Sequence, residues 1–103
     1  MTVNIIDKEK QPITLNEIYE VWYKLKVRYL DAIVLVRSGD NYFSFEEDAD
    51  FVTVLMQMES LPPWKERSMC ILPYHCTDKF LHKVVKAGCR AAICEPLFPY
   101  KFS

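Results

Sequence analysis

Ala32-Ile33-Val34-Leu35-Val36-Arg37 is a short β-branched run, and Ser38-Gly39-Asp40 follows it directly. A run of that length, stopped by turn residues, reads as a buried strand entering a hairpin. It is far short of the ~20 apolar residues a membrane span needs. The second strand of the hairpin is then Tyr42 to Phe45. Alternation sets Asn41, Phe43 and Phe45 on one face, Tyr42 and Ser44 on the other.

Helical signals flank this hairpin. Thr14 and Glu17 form an S/T-x-x-E pair, in which each side chain satisfies the other residue's backbone N–H, so a helix begins there. Leu15, Ile18, Trp22, Leu25 and Tyr29 follow as one apolar stripe, with Glu17, Glu20, Lys24 and Arg28 outside it. Tyr19, Tyr23 and Lys26 make a second, half-aromatic face, either a partner surface or the shoulder of a wide buried stripe. After the hairpin, Glu46, Glu47 and Asp48 precede a second helix over Ala49 to Met58, which its apolar residues predict to be largely buried. Those apolar residues leave a strand over Val52 to Leu55 as an alternative.

Leu61-Pro62-Pro63-Trp64 through Ser68 is a loop, Met69 to Leu72 a short strand ended by Pro73, and Thr77 a cap for a third helix. Phe80, Leu81, Val84 and Val85 give that helix its apolar side. Asp78, Lys79, His82, Lys83 and Lys86 give its outer side, and Gly88 its end. Arg90 to Cys94 is the last strand, before an aromatic tail of Phe98, Tyr100 and Phe102. The order α-β-β-α-β-α-β predicts a single α/β domain over residues 1–103, a small mixed sheet packed with about three helices. Residues 1–11, with their polar stretch Asp7 to Gln11, and residues 97–103 are expected as flexible ends.

A chain of 103 residues with a net charge of -1 has room for one core and no overall pull on a polyanion. Charge is nevertheless uneven: residues 1–60 carry 6 basic and 11 acidic side chains, residues 61–103 carry 7 and 3. Lys79, Lys83 and Lys86 share one helical face, a local phosphate contact or simply a solvated face. The rings of the hairpin can stack on or wedge between bases, or pack in the core.

With no signal peptide in view, the four cysteines read as thiols in a cytoplasmic, reducing compartment. Cys70, Cys76, Cys89 and Cys94 form no C-x-x-C pair, so no metal is expected, and small buried hydrophobes is the preferred reading. P-loop, GxSxG, HExxH and GxGxxG motifs are all missing, so no cofactor, nucleotide binding or enzymatic activity is expected. His75 beside Cys76 is read as holding the turn before the third helix, and His82 as solvated.

Two stretches resemble the N-terminal mismatch-recognition domain (domain I) of the MutS family of DNA mismatch-repair proteins. The first runs from Tyr23-Lys24-Leu25-Lys26 through Asp31 to Ala49, where Gly39-Asp40 and Asp48-Ala49 stand at the separation of that family's GDFYE and DDA. The second comprises Leu72-Pro73-Tyr74-His75, Phe80-Leu81, Lys83-Val84-Val85, Gly88 and Ala92-Ile93-Cys94-Glu95, similar to the family's IPYH…YL…KLV…G…VAICEQ. The resemblance implies an α/β fold and a non-enzymatic DNA-binding role. In that family a Phe-x-Glu motif after Gly-Asp wedges Phe beside the mispaired base and hydrogen-bonds it through Glu. Here those positions hold Asn41 and Phe43, which implies weakened or lost mismatch specificity.

The resulting candidate DNA contacts are Asn41, Tyr42 and Phe43 at the hairpin, with Arg37, Lys79, Lys83 and Lys86 as phosphate partners. Weak, salt-dependent DNA binding is expected, and a repair or other protein as a further partner. The rival reading is a protein-interaction adaptor that keeps the fold without binding DNA, through the Tyr19/Tyr23 face or the tail from Phe98.

Overall fold

The first helix, α1 (Leu15–Arg28), opens on the capping box its sequence predicts. The Glu17 N–H donates to Thr14 Oγ1 at 3.2 Å, and the Thr14 N–H donates to Glu17 Oε1 at 3.1 Å. A computed structural model of the protein describes residues 2–7 and 14–96. Around α1 the chain adds β1 (Thr2–Asp7), β2 (Ala32–Ser38), β3 (Asn41–Phe45), α2 (Glu46–Leu55), β4 (Met69–Pro73), a 3₁₀ turn over Tyr74–Cys76, α3 (Thr77–Lys86) and β5 (Arg90–Pro96).

The strands form one mixed sheet in the order β1-β5-β2-β3-β4. β1 and β2 run parallel to β5 on either side of it, while β3 is antiparallel to β2 and to β4. This is the α/β architecture the alternation of signals predicts. No local signal marks a regular element in the N-terminal segment, which is expected as part of a flexible end, and there the sheet gains a strand. β1 pairs with β5 from Thr2↔Ala91 to Asp7↔Pro96. A parallel partner 89 positions away leaves no local mark. Residues 8–13, with part of the polar start and Pro12, and residues 97–103, with the aromatic tail, lie outside the described residues.

Strand alternation gives the sheet two buried faces. Ala32, Val34, Val36, Phe45, Ala92 and Cys94 face α1 and pack with its Ile18 and Trp22. Ile33, Leu35, Tyr42, Cys70, Leu72, Ala91 and Ile93 face the other way, onto Ala49, Val52 and Met56 of α2 and Phe80 and Val84 of α3. The stripe on α1 therefore packs as its spacing predicts, with Leu15, Leu25 and Tyr29 at its margins.

Three local expectations are corrected. The acids Glu46, Glu47 and Asp48 form the first turn of α2 instead of preceding it, complementing its dipole from inside. The helix ends at Leu55, excluding the strand alternative, and it is only half buried, since Phe51 and Val54 face outward. Thr77 is the first residue of α3, not its cap. Its hydroxyl donates back to the Tyr74 carbonyl, and Val85 turns out to solvent. Of the cysteines, Cys70 and Cys94 are buried while Cys76 and Cys89 are half-buried; all four are thiols rather than halves of a disulfide. Burial pushes the Cys70 thiol up to about 12, which makes it a protonated core residue at neutral pH.

The β2–β3 ladder stops at Val36↔Phe43, and β3 splays away below it. The polar groups of Val34 face the gap and are satisfied by side chains. Its N–H donates to Asp48 Oδ2 at 3.0 Å, while its carbonyl accepts from Trp22 Nε1 at 3.1 Å and from Ser44 Oγ at 2.8 Å. Asp48 Oδ1 meets Lys26 Nζ at 2.9 Å, and the same ammonium donates to the Ala32 carbonyl at 2.7 Å. α1, β2 and α2 are thus bolted together across the sheet.

Two stability predictions follow from these contacts. Asp48→Ala strands the Lys26 ammonium and the Val34 N–H together, and is expected to cost about 3 kcal/mol in urea denaturation. In the loop, Trp64 and Arg67 exchange backbone hydrogen bonds at 2.9 Å around Lys65 and Glu66, both left-handed at φ 48° and 63°. Glu66→Gly relieves one of these, and is expected to raise stability by about 0.5–1 kcal/mol in the same assay.

Candidate nucleic-acid interface

The hairpin at the end of β2 is short, with three residue pairs: Val36↔Phe43, Arg37↔Tyr42 and Ser38↔Asn41. Gly39 supplies the left-handed φ of 65° that its turn requires. An isolated ladder this short is marginal. It is held from β4 and from the segment after it. β3 pairs with β4 from Asn41↔Pro73 to Phe45↔Met69, and the Tyr74 N–H donates to the Asp40 carbonyl at 2.7 Å.

A polar cluster completes the brace on the α3 side of the sheet. Arg37 Nε donates to the Gly39 carbonyl at 3.1 Å, Arg37 Nη1 meets Glu95 Oε2 at 3.3 Å, and the guanidinium lies 3.8 Å from the centre of the Tyr74 ring. The Tyr42 hydroxyl donates to Glu95 Oε1 at 2.6 Å. Burial first, and then the Glu95 carboxylate, push the Tyr42 phenol well above its ordinary range. Arg37 and Tyr42 are therefore parts of the scaffold. Tyr42 is 3% exposed and cannot enter a groove without leaving the core.

Asn41 and Phe43 lie on the other face, the α1 side, both half-buried, with Phe43 packed at the margin of the α1 core. The lysine row stands on α3, so the sheet separates it from Asn41 and Phe43. Lys79 and Lys86 are exposed and Lys83 half-buried. Lys79 is nearest the hairpin end, because α3 starts from the 3₁₀ turn whose Tyr74 holds Asp40. At 1.5 Å per residue, Lys83 and Lys86 lie about 6 and 10 Å further along the axis. His75 is exposed in the 3₁₀ turn, and His82 is exposed on α3.

Glu95 and Tyr74 are positioning residues that no local pattern singles out. Glu95 is 53 positions from Tyr42 and 58 from Arg37, and only the parallel packing of β2 on β5 brings them together. A cleft of about 520 Å³ opens away from the hairpin, at the start of β2 and β5, between Lys26, Asp31, Glu47, Phe51 and Arg90. Among the described residues no group of three or more His, Cys, Asp or Glu side chains is placed to hold a metal ion. No helix among them is long and apolar enough to cross a membrane.

The raised Tyr42 pKa makes a signed prediction. The folded state holds that proton more tightly than the unfolded chain, so the stability it brings is complete below the ordinary tyrosine pKa of about 10 and is lost as pH rises above it. Tyr42→Phe is expected to cost about 1–2 kcal/mol at neutral pH and to flatten the fall in stability above about pH 10, read by urea denaturation across that range.

The fold and the braced hairpin can be set beside known proteins. Residues 17–98 match the family model for MutS domain I. The chain is 35% identical over 83 residues to the DNA mismatch repair protein MutS of Thermosipho melanesiensis, covering 81% of this chain and 10% of that protein. It is 33% identical over 89 residues to the MutS of Phocaeicola vulgatus, covering 82% and 10%. The corresponding protein of Caldanaerobacter subterraneus is 35% identical over 89 residues, with the same two coverages. The chain thus spans about a tenth of the length of the curated relatives it matches. With the family model matched over most of its residues, this chain belongs to the MutS domain I family.

Proposed function

We propose that the chain is a non-catalytic DNA-binding module of the mismatch-recognition type, with mismatch selectivity weakened by the residues its hairpin presents. The observation carrying this reading is the placement of Asn41 and Phe43. They occupy the positions of the family's Phe-x-Glu and stand half-exposed on one face of a hairpin braced from the other.

The two residues exchange the chemistry of that motif. Asn41, beside the turn, brings an amide that donates to and accepts from base edges, and minor-groove edges offer mainly acceptors. Phe43 brings the ring two residues further down the strand, about 6.8 Å from Asn41. A wedge set back from the tip unstacks a base step less deeply, so it gains less from the weakened stacking of a mismatch. Arg37 orders the hairpin in this scheme. Among the lysines, Lys79 is the candidate phosphate contact for a duplex at the tip, with Lys83 and Lys86 reached only by one that extends along α3.

A second reading, an adaptor for another protein, is favoured by one observation. Tyr23, Val27 and Leu30 stand in a row at the outer side of α1 and its exit, 55%, 58% and 74% exposed.

Fluorescence anisotropy with labelled homoduplex, G·T-mismatched and single-stranded DNA at low and moderate salt tests the proposal. The expected outcome is binding at tens of micromolar that falls steeply with salt, with mismatch preference within about threefold. Phe43→Ala and Asn41→Ala are each expected to weaken it about fivefold or more, and Lys79→Ala to reduce the salt slope. No binding at about 100 μM protein, or binding indifferent to both hairpin substitutions, overturns it and turns attention to the Tyr23 row.

A further inference from the structure

We infer that the outer face formed by α2 and α3 pairs with a second copy of this chain, the acidic α2 of each copy lying against the basic α3 of the other. The inference does not rest on DNA binding. Both helices cover the same side of the sheet, through Ala49, Val52 and Met56 of α2 and Phe80 and Val84 of α3. Their outward sides therefore look the same way.

Those sides are segregated by charge. α2 carries Glu46, Glu47, Asp48 and Asp50 and no basic residue, whereas α3 carries Lys79, Lys83 and Lys86 with Asp78 as its one acid. Asp48 is turned inward to Lys26, which leaves Glu47 and Asp50 exposed three residues apart on α2. Lys79 and Lys86 are exposed on α3. The ion pairs among the described residues join Lys26 to Asp48, Arg37 to Glu95 and Arg90 to Asp31; none involves Glu47, Asp50, Lys79, Lys83 or Lys86. Each set of charges suits its own helix dipole, yet like charges at i,i+3 and i,i+4 repel one another, and a solvated face is normally laced with both signs. A neighbouring helix of opposite sign relieves the repulsion within both rows together.

Apolar side chains stand among these charges. Val54 is 78% exposed on α2 and Val85 66% on α3, with Phe51 beside Val54 at 38%. A face that carries both signs side by side is self-complementary. Rotated by a two-fold axis, it meets its own copy with signs matched and the valines between them, which is an isologous contact. A net charge of -1 sets no long-range barrier to that approach. Two ten-residue helices, each about 15 Å long, make a patch below the ~800 Å² per partner of a standard interface, so the dimer is a weak one. Asn41 and Phe43 lie on the opposite face of the sheet and stay free in it.

Sedimentation equilibrium of the chain alone, from about 10 μM to about 1 mM, tests the inference at about 20 mM and about 500 mM salt. The expected result is a rise toward twice the monomer mass at low salt, weakened about tenfold at high salt. Glu47→Lys with Asp50→Lys puts lysines on the outward sides of both helices, and Lys79→Glu with Lys86→Glu puts carboxylates on both. Each double variant is expected to stay monomeric alone, and an equimolar mixture of the two to associate as well as the original chain. The milder Glu47→Gln with Asp50→Asn is expected to weaken association about tenfold, with far-UV circular dichroism showing each variant folded. A chain that remains monomeric at low salt throughout the range overturns the inference. So does association that the neutral variant leaves unchanged, or folded variants that fail to associate when mixed.

Discussion

The structure depends on how one strand loses its neighbour. β2 is the middle strand of the sheet, yet below Val36 its β3 edge has no ladder, which would leave the Val34 N–H and carbonyl unpaired in the core. Buried peptide groups left so are costly, and here Asp48, Trp22 and Ser44 supply the missing partners. The gap has a use. It lets an acid from a helix on one face of the sheet meet a lysine from the helix on the other, and Lys26 keeps that buried carboxylate paired. One aspartate thereby fixes the departure of β3, the start of α2 and the seat of α1.

Because β3 leaves β2 early, the hairpin depends on what lies outside it. Its brace comes from three chain segments: β4 and Tyr74 on one side, Glu95 of β5 on the other, with Arg37 and Tyr42 closing the ring between them. A carboxylate shared by a guanidinium and a phenol is a directional clamp, and the Tyr74 ring under the guanidinium restricts it further. The tip is thereby held on one face and left open on the other. Little of the hairpin is therefore left to be ordered by a contact that its open face makes.

Much of this was legible along the chain, for identifiable reasons. The capping box of Thr14 and Glu17, the α1 stripe, the turn at Gly39 and the end of α3 at Gly88 are local devices, and the structure uses each of them. The N-terminal strand was not legible, since its only described strand partner is β5, at the far end of the chain. Residues such as Val54 and Val85 misled for another reason. Apolar identity alone does not say which side of a helix is covered, and both are exposed. At the hairpin, alternation put Asn41 and Phe43 on one face and Tyr42 on the other, but gave no measure of burial. Tyr42 and Arg37 read as candidate contacts because rings and cations do contact DNA; that they also brace the hairpin was hidden, because their partner Glu95 sits more than fifty positions away.

The two sides of the sheet have therefore diverged in what they can do. Toward α3, the residues near the hairpin are bonded to one another, and their polar atoms are engaged by Glu95, Gly39 and the Tyr74 ring. Toward α1, Asn41 and Phe43 carry the residues in which this chain departs from its family's motif, on a backbone the first side holds in place. Replacing a side chain on the open face leaves the brace intact, which is why a scaffold of this kind can keep its fold while its recognition chemistry changes. In the function proposed above, the exchange of ring and polar group between positions 41 and 43 would be such a change: it sets the apolar ring further down the strand and the hydrogen-bonding amide beside the turn.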